Sequence, residues 1–127
     1  MCIRDSGCTV EVTSPTPAYS TMRNNPVLAG LAGEVFAAVG REEATEESFG
    51  ASTDMGNVSH VVPSMHPMLE LEPGIANHTR EFTAAALGEK ADAATADGAL
   101  VLAATALELL ARPELIAEAK ARFDAGE

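Results

Sequence analysis

Between Ala99 and Leu110 the only polar residues are Thr105 and Glu108. On a helix of about 3.6 residues per turn, such a run is apolar around nearly its whole circumference. A helix of that kind is buried on most sides, so the rest of the chain has to supply layers to cover it. The helical pattern extends over Glu89–Ala111, and Pro113 opens a last helix to about Phe123. The chain is 46% hydrophobic but only 4% aromatic, so its core material is Ala, Val and Leu. That composition suits the outer helices of an α/β domain, in which helices cover a sheet. The remaining residues offer only two or three short strands, not a full sheet. The expected fold class is therefore α/β, with most of the sheet outside these 127 residues.

The other elements follow from local pattern. In residues 8–13, CTVEVT, Val10 and Val12 alternate with Thr9, Glu11 and Thr13, the signature of a half-buried strand. A Pro- and Ser-rich connector follows and should be extended. Asn25 before Pro26 makes a good helix start, and apolar residues at helical spacing run to Val39, where Gly40 stops them. The acidic stretch REEATEES reads as a solvated linker or helix edge, and FGASTDMG as a small-residue loop. Met68, Leu69 and Leu71 suggest a second strand, and residues 79–87 a short helix closed by Gly88.

Charge and composition exclude several functions. Nineteen acidic against eight basic residues give a net charge of −11, which repels phosphate backbones and argues against nucleic-acid binding. No uninterrupted apolar run reaches the length of a membrane span, and no apolar signal core opens the chain, so a cytoplasmic protein without a membrane partner is expected. Cys2 and Cys8 are too close together to staple a fold and have no metal-knuckle partners. The first six residues, MCIRDS, resemble a translated sequencing-adapter peptide. Residues 1–6 are therefore expected to be non-native, with further sequence upstream.

Few residues announce chemistry by themselves. His60, His66 and His78 are the histidine candidates for ligand or base. Pro63 separates the first two, and neither HExxH nor paired CxxC is present, so spacing alone leaves each histidine more readily structural than metal-bound. Ser52, Asp54, Ser59 and His60 fall in one segment, but Ser52 sits in GASTD rather than in a GxSxG elbow, which disfavours serine catalysis. The small residues there better suit a loop whose backbone amides approach a ligand closely.

The string GASTDMGNVSHVVPSMHPMLEL, followed by NHTREF and an alanine-rich helix ending ELLARPEL, resembles the zinc-dependent aminoacylase and carboxypeptidase family of amidohydrolases and metallopeptidases. Its p-aminobenzoyl-glutamate hydrolase branch and the related dipeptidases look closest. The resemblance implies the C-terminal part of a zinc-exopeptidase-like catalytic domain at residues 23–127. It also implies the last strand of an inserted, dimerising lid domain at residues 7–22. It implies hydrolysis of an amide bond in N-acyl amino acids, aminobenzoyl-glutamate or dipeptides, by a homodimer holding two zinc ions, with manganese or cobalt able to share such sites. HTREF matches the family's H-[ST]-x-x-F context, which makes His78 the last metal ligand, with Phe82 behind it. Ser52, Thr53, Asp54 and Asn57 match the substrate-pocket loop. The catalytic glutamate and the other ligands have no match here, so no catalytic residue is assigned and the chain alone should be inactive. The alternative is a non-enzymatic acidic helical module that binds a partner.

Overall fold

The computed structural model describes residues 7–41 and 53–126. They form five helices: α1 (Pro26–Ala38), α2 (Met55–Ser59), α3 (Arg80–Ala85), α4 (Glu89–Ala111) and α5 (Pro113–Ala125). The long helix α4 packs on α1, and α5 folds back against both. Among the described residues there is no strand, which overturns the α/β expectation and the lid strand before it. Residues 8–13 form no strand, and Val10 is 64% and Val12 86% exposed. Residues 68–71 likewise form no ladder. Alternation reports which side chains would share a face. A strand also needs a neighbour for its backbone hydrogen bonds, and no described segment provides one. The segment STDMGNVS, expected as a loop, contains α2 instead. Residues 1–6, most of the acidic linker and Ser52 lie outside the described residues.

Asn25 organises the core. Its side-chain oxygen accepts from the amides of Val27 (3.2 Å) and Leu28 (3.4 Å), capping α1, and Pro26 occupies the first turn. Its side-chain nitrogen donates to the Ala119 carbonyl of α5 (2.8 Å), and its backbone amide donates to the Ser64 carbonyl (2.8 Å). At the other end of α1, Gly40 adopts φ 76°, and the Gly40 and Arg41 amides return to the Ala37 and Phe36 carbonyls. This paired cap closes the helix and delivers Arg41 to α4. There its guanidinium meets Asp97 (2.8 Å) and the Glu70 carbonyl (3.1 Å).

The buried apolar set is small: Leu31, Ala32, Ala91, Ala94, Val101 and Ala119. The alanines let the three helix backbones come close, and the Leu69 side chain rests on Gly98, where a β-carbon would crowd it. On α4 the buried positions Ala91, Ala94, Val101 and Thr105 form one stripe at helical spacing. The expectation of burial on most sides is therefore met on one side only, and Leu100, Leu102, Leu107 and Leu110 are exposed. By length and composition α4 is also the one described helix that could cross a membrane. Asp97, paired with Arg41 in its middle, suits a helix packed on protein better.

The N-terminal arm is held by side chains. Asn57 of α2 accepts from the Ser20 amide (2.6 Å) and donates to the Ala18 carbonyl (3.2 Å). Ser59 accepts from the Arg23 amide (3.0 Å), and His60 Nε2 bonds the Thr21 carbonyl (2.9 Å). Gly56 makes room for this contact, because a β-carbon there would coincide with the Ser20 carbonyl oxygen. Arg23 then reaches over the Phe123 ring, 5.5 Å from its centroid.

Two consequences can be measured. Asn25→Ala removes both the cap and the tie to α5 and should cost about 2 kcal/mol in urea unfolding, and Asn25→Ser, which keeps a cap oxygen, should recover about half. Gly56→Ala should release the arm, raising amide exchange at Ser20 and Arg23 by about tenfold or more while the α1–α4 contact stays protected.

Candidate functional site

His78 stands at the entry to α3, and the turn before that helix decides how it is presented. Pro73 and Gly74 (φ 78°) open the loop, and the Ile75 amide returns to the Glu72 carbonyl (3.2 Å). Lys90 Nζ on α4 meets Glu72 Oε1 at 2.8 Å, an exposed pair that tethers the loop more than it stabilises it. Thr79 is the N-cap of α3: its hydroxyl accepts from the Phe82 amide (3.1 Å) and donates to the Ala76 carbonyl (2.7 Å). Between these anchors His78 takes φ 63°, the one positive φ at a non-glycine among the described residues. Left-handed backbone is uncommon outside glycine, although histidine enters it more readily than most. The imidazole is exposed and makes no hydrogen bond to any described residue. Phe82 is half-buried one turn further on.

The three histidines do not converge. His60 is bonded to the arm through Nε2, and the backbone amide of His66 donates to Asn24 Oδ1 (3.0 Å). No group of three or more His, Cys, Asp or Glu side chains among the described residues could hold a metal ion. His78 therefore offers one ligand of suitable chemistry and not a set.

Of the residues matched to a substrate-pocket loop, Thr53 accepts from the Met55 amide (3.3 Å) and helps start α2. Asp54 precedes that helix, exposed, with its carboxylate 3.4 Å from the Thr53 hydroxyl. Asn57 has both ends of its amide engaged by the arm. The small residues do admit a close backbone approach, and the backbone admitted is the chain's own. The packing role of Gly56, the arm-holding role of Ser59 and the second role of Asn25 are not legible in the sequence. Their partners lie 36 to 94 residues away, and only the glycine and hydroxyl chemistry of the segment hinted at them.

A groove of about 470 Å³ runs between α1 and residues 65–70, with Asn24, His66, Arg41 and Glu70 among its polar lining and Phe36 and Met68 among its apolar lining. His78 does not line it, and Arg41 there is already occupied by Asp97.

No protein-family model matches the chain, and no solved structure matches it. Two curated relatives do. The chain is 36% identical over 115 residues to a human (Homo sapiens) Xaa-Arg dipeptidase, covering 87% of this chain and 26% of the relative. It is 34% identical over 122 residues to the mouse (Mus musculus) Xaa-Arg dipeptidase, covering 93% of this chain and 28% of the relative. The chain thus spans about a quarter of the length of these relatives. Similarity at that level across nearly all of its own residues supports membership of a dipeptidase or amidohydrolase family.

Proposed function

We propose that this chain is part of a metal-dependent hydrolase that cleaves an amide or peptide bond in dipeptides, N-acyl amino acids or aminobenzoyl-glutamate, with His78 as a ligand to one of two divalent ions. The similarity to dipeptidases carries this reading, and the exposed, hydrogen-bond-free imidazole held on a left-handed backbone supports it. Unusual backbone geometry kept in place by surrounding bonds is a feature of functional sites. Zinc, or manganese or cobalt in its place, would polarise the scissile carbonyl and acidify the attacking water. The described residues fit one ligand position only, so no catalytic step is assigned to them. In this reading α3 and its preceding turn form one edge of the site and aim an imidazole nitrogen into it. Dipeptides ending in arginine are the first substrates to test, because the similar proteins carry that name. A net charge of −11 also attracts a cationic side chain. The other reading, an acidic helical module without catalysis, draws on the uncovered leucines of α4.

Metal analysis and peptide hydrolysis by the protein at its natural length separate the two. The hydrolase reading expects bound divalent metal and release of free amino acid. Absence of both in freshly purified protein would favour the interaction module. His78→Ala should abolish turnover and lower metal stoichiometry, and unchanged metal content would remove His78 from the ligand set.

Backbone geometry gives a second expectation at the same position. His78→Gly should unfold at the same temperature as the parent or higher, since glycine takes φ 63° freely. His78→Val, β-branched at that φ, should lose about 1–2 kcal/mol in thermal or urea unfolding.

A further inference from the structure

We infer that Thr79 is the positioning residue for His78, acting through its bond to Ala76 and not only as a helix cap. The inference rests on the reading of His78 as a metal ligand. The imidazole has no hydrogen bond of its own to any described residue, so its direction depends on the backbone that carries it. That backbone is fixed from both sides by one hydroxyl. Thr79 Oγ1 donates to the Ala76 carbonyl at 2.7 Å, closing a four-residue turn with Asn77 and His78 at its centre. The same oxygen accepts from the Phe82 amide at 3.1 Å, locking the turn onto the first turn of α3. Behind it the Thr79 carbonyl accepts from both the amide and the hydroxyl of Thr83, each at 3.2 Å, so Thr79 itself cannot swing. Loss of the Ala76 bond loosens the brace that holds His78 at φ 63°, and the ring nitrogen shifts relative to any fixed ion. Groups that orient a metal-binding histidine commonly alter metal affinity by about 10- to 100-fold when lost.

The two roles of Thr79 separate by chemistry. Serine keeps both donor and acceptor. Aspartate keeps the acceptor that caps α3 but, ionised, cannot donate to Ala76. Valine keeps the shape and neither bond. The experiment titrates the metal-free protein, at its natural length, with Zn²⁺ against a chromophoric chelator. It compares the parent with Thr79→Ser, Thr79→Asp, Thr79→Val and His78→Ala, and the melting temperature of each is measured alongside. Thr79→Ser should bind within about twofold of the parent, whereas Thr79→Asp and Thr79→Val should bind about tenfold or more weakly. Thr79→Asp should still melt near the parent temperature, which keeps the test informative if the valine variant folds poorly. Parental affinity in Thr79→Asp overturns the inference and leaves Thr79 a helix cap. If His78→Ala weakens binding while Thr79→Asp does not, only the positioning role fails. If His78→Ala itself binds as the parent does, the ligand reading fails and the inference falls with it.

Discussion

The side chain of Asn25 is nearly inaccessible to solvent, and its amide meets two helices while its backbone meets a third part of the chain. Its oxygen faces the first free amides of α1, its nitrogen faces a carbonyl of α5, and its main-chain amide is held by Ser64. A buried amide side chain is costly unless its hydrogen-bonding capacity is used, and here both of its ends are. Because the groups it joins are far apart in sequence, they have to be in place together. The helix start, the return of α5 and the course of residues 62–66 are thereby one arrangement and not three. The apolar core around it, mostly alanine, is too small to impose that arrangement through shape alone.

Helix limits were largely legible in the sequence. The capping pair at Asn25 and Pro26, the stop at Gly40, the span of α4 and the restart at Pro113 all follow from local rules, and the structure has them within a few residues. What failed was every inference that needed to know what lies opposite. Val10 and Val12 carry the strand alternation, yet no described segment forms a ladder with them. The apolar circumference of α4 implied enclosure, yet α1 and α5 cover one stripe of it. Periodicity shows how a segment would use a partner and not whether the partner is there. The site follows the same division. Nothing in spacing separated His78 from His60 and His66, and the HTREF resemblance alone picked it out. The left-handed backbone at His78 and the hydroxyl bridge across it are three-dimensional facts. So is the use of Asn57 and Ser59 as substitutes for a strand ladder on residues 18–23.

The two ends of the described structure differ in how they resist deformation. Around Asn25 the bonds are buried and mutually dependent, so loss of one exposes or strands another. Around His78 they are near the surface and local, none reaching further along the chain than Lys90. A rigid base carrying a locally braced, exposed side chain suits a group that has to meet something outside the described chain without reorganising the fold.

Arg41 ties the length of α1 to a charge 56 residues further on. The paired cap at Gly40 fixes where the helix stops, and the next residue is the one whose guanidinium spans Asp97 and the Glu70 carbonyl. One residue inserted into or removed from α1 would turn that side chain by about 100° around the helix axis and shift it by about 1.5 Å. The guanidinium would then point away from α4. Insertions and deletions within α1 are for this reason far less tolerable than substitutions on its exposed face, and relatives that keep an arginine–aspartate pair here should keep this helix at constant length.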